Sequence, residues 1–324
     1  MSADLIDLVQ RLGRPRVLVL GDLMLDRYVW GNAERISQEA PVILLRADKR
    51  EERLGGASSV ATLLDALGAK VSVAGVLGDD PDAARLRGLL TDLGVDQEGV
   101  ITDTNRPTTV KERYIGRAQD RHAQQMLRVD FEDRQAISPP AETELLTAVA
   151  EQIRRSDIVL ISDYDKGVCT PSVLRRVIAM AQARGLRVLA DPIRGGDYRK
   201  YHGCSALTPN RLEAGLATGR EIATVEEAFQ AGAELRETLD LEAAVVTLDK
   251  DGMALCDSRR EEVYPTTRTR QVYDITGAGD MVLAVLGLAL ASGADYPDAL
   301  RLANVAGGLE VEKIGVLRNT IRRD

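Results

Sequence analysis

The stretch RVLVLGD, residues 16–22, joins an apolar run with two valines to a closing Gly-Asp pair. Such a run predicts a buried β-strand that ends in a polar turn. The segment GGASSVATLLDALGA (55–69) then repeats its apolar residues at helical spacing and has Gly68 where a helix C-terminal cap belongs. Residues 70–80 predict the next strand and residues 81–93 the next helix. The chain therefore begins by alternating strand and helix.

This alternation returns in the second half of the chain. Apolar residues make up 44% of the sequence and aromatic residues only 3%, so the core is built from aliphatic side chains. Strands and helices that alternate this often predict an α/β fold with a mostly parallel sheet and helices on both faces. The further predicted strands are 156–167, 186–192, 205–210 and 243–252, and the further predicted helices are 171–184, 277–292 and 297–311.

Two charged segments interrupt the alternation, residues 27–53 and 106–131. Their shorter, strand-like patterning predicts an antiparallel flap outside the α/β core, which would form a lid over a ligand. A surface hairpin or a dimer contact explains the same pattern equally well. No repeat, low-complexity tract or long linker marks a second domain, so residues 1–324 are expected to form one domain.

Composition and charge exclude several classes of protein. The formal net charge of −8 argues against a nucleic-acid binder, which usually needs a basic face. The sequence has no run of 18 apolar residues, so no membrane span is predicted. Residues 1–16 resemble a short amphipathic helix rather than a secretory signal. The three cysteines are far apart and odd in number, which favours packing roles and a reduced cytoplasm over disulfides or a metal site.

Polar residues cluster where several predicted strands end. In open α/β sheets, ligands bind at the carboxyl ends of the strands. One polar strand end is ordinary turn chemistry, but several together predict one extended site. The clusters are Asp22 with Asp26, residues 163–166, Asp191, residues 210–213 and residues 247–252.

The stretch DITGAGD, residues 274–280, precedes a strongly apolar helical run. The glycines let a ligand approach the first amides of the helix, which have no internal partner and favour anions. Asp280 taken alone is better explained as a helix cap. However, phosphoryl transfer needs amide donors for the moving phosphoryl group and a base for the attacking hydroxyl. Gly277, Ala278 and Gly279 would supply the donors, and Asp280 the base.

Other phosphate and metal motifs are absent or incomplete. No Gly-Lys pair occurs, which excludes a Walker loop, and Val282 stands where a dinucleotide fingerprint needs its third glycine. The only histidines, His122 and His202, are far apart. Asn210 and Glu213 would face one phosphate through a hydrated Mg²⁺, although a capping box explains their spacing at least as well.

Three motifs in this order resemble the ribokinase-like (PfkB) family of sugar kinases: Gly55-Gly56 opening a helix, Pro-Asn-x-x-Glu at 209–213, and DITGAGD. The resemblance covers essentially the whole chain and implies a three-layer sandwich with a small β lid. Segments 21–31, 35–42, 52–69, 124–133 and 162–167 look like the kinase domain of bacterial heptose enzymes. That subfamily transfers the ATP γ-phosphoryl to the 1-hydroxyl of D-glycero-β-D-manno-heptose 7-phosphate for lipopolysaccharide core synthesis.

The resemblance also implies roles for individual residues. Asp280 would be the base, with the amides of residues 277–279 as an anion hole. ATP and Mg²⁺ are the implied cofactors, held by Asn210, Glu213, Thr247, Gly252 and Asn304; a monovalent cation is a further one that the resemblance allows. The implied sugar site comprises Asp22, Asp26, Gly55, Gly56, Lys111, Arg113, Gln124, Arg128, Asp163, Lys166 and Asp191. Four cations of that set, Lys111, Arg113, Arg128 and Lys166, are candidates for the 7-phosphate.

The resemblance leaves several functions open. Asp165 replaces a usual Gly in SDYDKG, and Ile193 followed by Arg194 replaces a usual Lys in DPIRGG, so the exact sugar is in doubt. The alternatives are a kinase for another sugar, a nucleotide- or sugar-binding sensor without turnover and, with the weakest support, a dinucleotide oxidoreductase. The subfamily often carries an adenylyltransferase, for which no domain is expected here. A homodimer through the lid is also expected.

Overall fold

A computed structural model describes residues 3–117, 123–266 and 277–310. Within these residues, thirteen strands form a nine-stranded sheet in the order β13-β12-β11-β10-β9-β8-β1-β4-β5 and a four-stranded sheet in the order β3-β2-β6-β7. The strands are β1 (Arg16–Gly21), β2 (Leu23–Ile36), β3 (Ile43–Gly56), β4 (Lys70–Leu77), β5 (Asp96–Thr102), β6 (Thr109–Arg117), β7 (Gln124–Phe131), β8 (Ile158–Ser162), β9 (Arg187–Asp191), β10 (Ala206–Leu207), β11 (Ala243–Thr247), β12 (Met253–Asp257) and β13 (Glu261–Tyr264).

The helices follow the predicted alternation closely. Asp80, Ser138 and Thr170 each accept a hydrogen bond from an amide in the first turn of a helix that starts with proline. None of the described helices is long and apolar enough to cross a membrane. They are α1 (Ala3–Arg11), α2 (Ala57–Ala66), α3 (Pro81–Asp92), α4 (Pro139–Arg155), α5 (Pro171–Gln182), α6 (Arg211–Thr218), α7 (Val225–Leu239), α8 (Ala278–Ala291) and α9 (Tyr296–Glu310).

The large sheet has a hydrophobic cluster on each face. Strand side chains alternate between the faces, so Val17 and Val19 of β1 join one cluster while Leu18 and Leu20 join the other. Helices α1, α2, α3, α8 and α9 cover the first face, and α4, α5, α6 and α7 cover the second. This arrangement is the predicted α/β sandwich.

Strands β5 and β11–β13 show where the sequence expectation was incomplete. The sheet is parallel from β11 to β5, but β12 and β13 add an antiparallel edge. Neither β5 nor α4 was predicted. Polar residues make up most of β5, whereas α4 does carry apolar residues at helical spacing, Leu145, Val149 and Ile153, which the prediction missed. The strand predicted over 205–210 shrinks to β10, because Pro209 has no N–H to donate to the sheet.

The predicted lid is the four-stranded sheet. Strands β2 and β3 pair antiparallel, as do β6 and β7, but β2 and β6 pair parallel. The expectation of an antiparallel flap is therefore wrong for its central pair, and the lid is a mixed sheet. Its first strand continues almost directly from β1, which places Asp26 on the lid instead of at an end of the central sheet.

The chain reverses its direction of travel across the large sheet beside β1. It proceeds from β1 through β4 to β5 on one side, and then from β8 through β9 and β10 to β11 on the other. The crevice between β1 and β8 is thus a topological switch point, where open α/β sheets bind their ligands.

Candidate active site

Four predicted polar strand ends and the switch-point residue Asp22 share one edge of the sheet. The strands β11, β10, β9, β8 and β1 are consecutive neighbours, and all of them run parallel. Because parallel strands end at the same edge, their polar residues lie side by side. These residues are Thr247, Asn210, Asp191, Asp163 and Asp22.

Asp22 connects β1 to the loop that follows β8. Its carboxylate accepts hydrogen bonds from the amides of Tyr164 (2.8 Å), Lys166 (3.2 Å) and Val168 (3.3 Å). Burial raises the pKa of Asp22 to about 6, with Asp163 adding to the rise and the three amides opposing it. The carboxylate that was predicted to hold sugar hydroxyls therefore shapes the loop, and a sugar contact stays a prediction.

Asp163 is held by a second network at the start of the same loop. Its carboxylate accepts a hydrogen bond from the Tyr201 hydroxyl (2.7 Å) and pairs with Lys200 (2.6 Å). The amide of Asp165 donates to it as well (3.0 Å). Asp165 has φ 59°, a left-handed conformation that Asp tolerates better than most residues, which explains how it replaces a glycine there.

The buried cysteines take no part in this chemistry. Cys169, Cys204 and Cys256 are all buried and free of disulfides, as their spacing predicted. Cys169 lies beside Asp22 and Asp163, but burial raises the pKa of its thiol well above the usual value. The two carboxylates are already bonded to amides, Tyr201 and Lys200, so this cluster is structural.

Asp280 lies in the first turn of α8, a helix whose residues from 280 to 290 are buried on every side. Its Oδ1 atom accepts a hydrogen bond from the Tyr164 hydroxyl at 2.8 Å. Burial raises the pKa of Asp280 to about 6, and hydrogen bonding by Tyr164 limits the rise. A carboxylate with a pKa just below neutral is suited to take a proton from a hydroxyl group at physiological pH.

The N-terminus of α8 has the features of an anion site. Gly277 is its N-cap with φ 92°, and no side chain caps the first amides within the described residues. A Cβ at Gly279 would lie 3.4 Å from Asp191 Oδ2, so the helix start faces the end of β9. Asp274 and Thr276, the other part of the motif, lie outside the described residues.

The end of β9 places a second carboxyl group, that of Asp191, close to this helix start. Asp191 Oδ1 accepts a hydrogen bond from the Thr208 hydroxyl at 3.0 Å. Burial raises the pKa of Asp191 well above its usual value, and the charges of Glu213 and Asp280 add to the rise. Three acidic groups thus crowd together around the amides of α8.

Asp26 and Gly55 meet where the lid joins the core. Asp26 Oδ1 accepts a hydrogen bond from Arg113 Nη1 at 2.6 Å, and the pair is largely buried. A Cβ at Gly55 would lie 2.6 Å from Asp26 Oδ2, so only glycine leaves room for this carboxylate. Gly56 has φ 54° and a Cβ there would overlap the Asp22 carbonyl oxygen, which ties the glycine pair to both aspartates.

The four predicted phosphate-binding cations lie close to one another. In the register of β6 and β7, Lys111 stands opposite Asp130 and Arg113 stands opposite Arg128, which puts the three lid cations on one lid face. Lys166 lies in the loop after β8, and its charge acts on Lys111. Burial lowers the pKa of Lys111, and the positive charges of Arg113, Lys166 and Arg128 lower it further. Lys166 pairs with Glu132 and Arg128 with Asp130, whereas Lys111 has no ion pair among the described residues.

Gln124 is separated from this cation cluster. It begins β7 opposite Gly116 and is exposed. Side chains alternate along β6, so Gly116 lies on the lid face opposite to that of Arg113 and Ile115. Gln124, as the partner of Gly116, lies on that opposite face as well. The sugar-binding role predicted for Gln124 finds no geometric support in this arrangement.

Asn210 and Glu213 form a reciprocal capping box at the start of α6. Asn210 Oδ1 accepts from the Glu213 amide (2.9 Å), and Glu213 Oε2 accepts from the Asn210 amide (2.8 Å). Burial raises the pKa of Glu213. The capping explanation of their spacing is therefore correct as geometry, and the Mg²⁺ role stays a prediction.

The residues predicted to line the nucleotide frame the neighbouring β11–β12 turn. Thr247 forms an isolated bridge to Asn210, and a Cβ at Gly252 would overlap the Tyr264 carbonyl oxygen. Asn304 donates to the carbonyl oxygens of Tyr264 (3.0 Å) and Pro265 (2.9 Å). These contacts give the three residues structural roles, and an adenine contact for Asn304 is not tested by them.

The positions of two side chains in the site, Tyr164 and Arg194, were not predicted from the sequence. Tyr164 had no recognisable role, because its partner Asp280 lies 116 residues away. Arg194 was expected on the sugar side, but its charge lowers the pKa of Glu213, which places it near the capping box. The loop that carries it is anchored through Ile193, whose amide donates to Tyr201 (3.0 Å) and whose carbonyl accepts from Tyr198 (2.8 Å).

A sequence model of pfkB family carbohydrate kinases matches residues 14–321. The chain belongs to the pfkB family. It is therefore an ATP-dependent carbohydrate kinase, and kinases of this family generally act with a divalent cation. The predicted ribokinase-like fold and the resemblance to heptose enzymes are both confirmed.

Curated relatives of this pfkB kinase are longer than the chain. It is 45% identical over 303 residues to the bifunctional protein HldE of Geobacter sulfurreducens, covering 94% of this chain and 61% of that protein. It is 47% identical over 298 residues to HldE of Geobacter metallireducens, covering 92% and 60%. The chain thus spans about three fifths of these relatives.

Solved structures share the fold of this pfkB kinase. Arabidopsis thaliana ribokinase, complexed with ribose and ATP, aligns with a TM-score of 0.71 at 23% identity over 94% of each chain. Phosphofructokinase-2 from Escherichia coli, in complex with fructose-6-phosphate, aligns with a TM-score of 0.73 at 20% identity over 92% of this chain and 93% of that one.

Asp280→Asn is expected to stabilise the fold at pH 8. The pKa of Asp280 rises from 3.8 to about 6 on folding, so ionisation of its carboxyl group disfavours the folded state. The stability that the neutral carboxyl group contributes is fully present below pH 3.8 and is lost as the pH rises through 6. That loss amounts to roughly 3 kcal/mol, so the variant should gain about 1–3 kcal/mol at pH 8 and nothing near pH 4. Thermal unfolding across this pH range measures the gain; Asp298→Asn, at an acid with a half-exposed side chain in the first turn of α9, is the control.

Gly55→Ala is expected to disrupt the junction of lid and core. The added methyl group would displace Asp26 from Arg113 and lower the free energy of unfolding by about 1–3 kcal/mol. Gly88→Ala in α3, where a Cβ meets open space, should instead be neutral or stabilising. Denaturant unfolding compares the two variants, and equal stabilities would contradict the packing argument.

Proposed function

We propose that this chain transfers the γ-phosphoryl group of ATP to the 1-hydroxyl of D-glycero-β-D-manno-heptose 7-phosphate. The observation that carries the proposal is the combined geometry of the site. A buried carboxylate at the start of α8 lies near one face of the lid, and that face presents the cations that a second phosphate group on the sugar would need.

Asp280 would be the base in this reaction. Its Oδ1 atom is engaged by Tyr164, which leaves Oδ2 to accept the proton of the sugar hydroxyl. The amides of Gly277, Ala278 and Gly279 would stabilise the charge on the moving phosphoryl group, because no side chain in the described part of the chain caps them. Burial of Asp280 excludes water, which would otherwise compete as the acceptor of the phosphoryl group.

The acidic residues near this helix start fit a divalent cation. Glu213 has a raised pKa, and its charge also raises that of Asp191, so a nearby cation would relieve the crowding of negative charge. Asn210 and Glu213 would hold hydrated Mg²⁺, which would supply charge neutralisation for the ATP phosphates. Thr247, Gly252 and Asn304 would line the nucleotide beside them. A monovalent cation stays a prediction.

The lid supplies the proposed recognition of the phosphorylated sugar. Lys111, Arg113, Arg128 and Lys166 would bind the 7-phosphate, with the two arginines offering bidentate contacts. Asp26, held by Arg113 and accommodated by Gly55, would accept hydrogen bonds from sugar hydroxyls through its second oxygen. Asp22, Gly56, Asp163 and Asp191 would shape the floor of the sugar site.

Asp280→Asn should lower kcat by about 10²–10⁴-fold, because the base that takes the hydroxyl proton is lost. Binding of ATP should persist, since its proposed contacts lie around α6 and β11. Coupled ADP release measures kcat, and ligand-induced thermal shift measures nucleotide binding. A variant with normal turnover would show that Asp280 is not the base.

Lys111→Met should raise KM for the sugar phosphate by about 10–100-fold, because one charged hydrogen bond to phosphate is lost. KM for ATP should not change. Lys49→Met is the matched control, since Lys49 also lies on a lid strand but pairs with Glu51. A panel of phosphorylated and unphosphorylated heptoses, hexoses and pentoses tests the substrate, and turnover of an unphosphorylated sugar alone would refute the heptose phosphate.

A homodimer through the lid is the assembly that we propose. The two edge strands of the lid are β3 and β7, and unpaired edges favour pairing with another chain. Six large apolar side chains on or beside the lid strands are exposed, one of which is Met126. The others are Ile36, Val42, Ile43, Leu127 and Phe131.

Leu127→Glu is expected to convert a dimer into a monomer, because it places a charge on the exposed lid edge. Sedimentation velocity measures the mass of both proteins. Val263→Glu is the control, since Val263 is an exposed apolar residue on β13, an edge strand of the other sheet. A monomeric wild-type protein would refute the proposed dimer.

A further inference from the structure

Tyr164 lies between the proposed base and the cations of the lid. Its hydroxyl donates to Asp280 Oδ1 at 2.8 Å, and Lys111 Nζ lies 4.9 Å from the centroid of its ring. Its backbone amide donates to Asp22 at 2.8 Å, which fixes the residue at the crevice between β1 and β8. One side chain thus contacts both ends of the site.

We propose that Tyr164 is a positioning residue that orients the Asp280 carboxylate through its hydroxyl and seats Lys111 on its ring. The inference rests on the proposed function, because it assigns a role toward the proposed base. It deepens that function by naming the group that fixes the spacing between the reacting hydroxyl and the phosphate end of the sugar.

The first contact decides which carboxylate oxygen reacts. A hydrogen bond from Tyr164 to Oδ1 restrains rotation of the Asp280 side chain, so Oδ2 is held toward the substrate. In the transfer, the sugar O–H bond breaks and its proton passes to Oδ2. The sugar oxygen bonds to the γ-phosphorus while the bond from that phosphorus to ADP breaks. Tyr164 keeps its own proton throughout.

The same contact keeps the base ionised. The groups that face Asp280 are Tyr164 after β8, Ser59 on α2, Asp26 on β2, Lys111 on β6 and Asp191 on β9. Burial and the two carboxylates oppose its ionisation, while Tyr164, Ser59 and Lys111 favour it. Burial and the charge of Asp280 raise the pKa of Tyr164 well above its usual value, so the phenol remains a donor at every pH at which the enzyme works.

The second contact concerns the phosphate end. Lys111 has no ion pair among the described residues, unlike Lys166 and Arg128 of the same cluster. The face of an aromatic ring attracts a cation without occupying its hydrogen-bond donors. Tyr164 therefore holds the ammonium group in place and leaves its donors free for a phosphate group.

Two substitutions separate these contacts. Tyr164→Phe removes the hydroxyl and keeps the ring, whereas Tyr164→Leu removes both. With Tyr164→Phe, the acid limb of kcat/KM, expected near pH 6 in the wild type, should move upward by about one pH unit. Activity should fall about fivefold at pH 6 and about tenfold below pH 5, and approach that of the wild type near pH 8.5, with KM for the sugar phosphate within about twofold. Tyr164→Leu should show the same shift and also raise KM for the sugar phosphate roughly tenfold.

Tyr114→Phe is the matched control. Tyr114 also donates its hydroxyl to a carboxylate, Glu112 at 3.1 Å, but lies on β6 away from Asp280. It should leave the pH profile unchanged. A loss of activity in Tyr164→Phe that is the same at every pH, or an unmoved acid limb, would overturn the positioning role.

A second measurement does not depend on turnover. The stability gain of D280N over the wild type should grow from about pH 4 and level off near pH 6, and the same gain in the Y164F background should level off about one unit higher. The proposed function fails if no sugar is phosphorylated or if D280N is active. The role of Tyr164 fails if the pH at which the stability difference levels off does not move, so the two failures are distinguishable.

Discussion

The site depends on one set of hydrogen bonds, which three backbone amides donate to the Asp22 carboxylate. These amides come from alternate positions in the loop after β8, so one side chain at the end of β1 sets the path of that loop. The loop presents Tyr164 to Asp280 and Lys166 to the lid. Because β1 and β8 border the crevice where the order of strands reverses, this contact shapes the ligand site where the fold itself opens.

The second constraint is the crowding of buried carboxyl groups. Asp22, Asp280 and Asp191 all have raised pKa values because burial disfavours their charge. The fold tolerates this cost only where donors are supplied: amides at Asp22, a phenol at Asp280 and a threonine hydroxyl at Asp191. Such an arrangement suits a kinase for two reasons. A carboxylate with a raised pKa in a water-excluded site accepts a proton readily, and the cations that accompany bound phosphate groups offset the crowded negative charge.

Much of the fold could be predicted because its signals are local. The aliphatic runs that end in Gly-Asp or in a polar pair gave the central strands, and apolar residues at helical spacing gave α2, α5 and α8. The failures also have local reasons. Polar residues conceal β5, and the parallel pairing of β2 with β6 joins segments that more than seventy residues of chain separate, so no turn signal predicts it.

The sequence by itself determined the α/β class, the row of polar strand ends and the place of Asp280 at the head of a buried helix. Each of these follows from neighbours within a few residues. Only the tertiary structure decided which groups meet: Tyr164 with Asp280 across 116 positions, and Arg113 with Asp26 across 87. These pairs depend on the crossover between β1 and β8 and on the register of the lid, which no short stretch of sequence encodes.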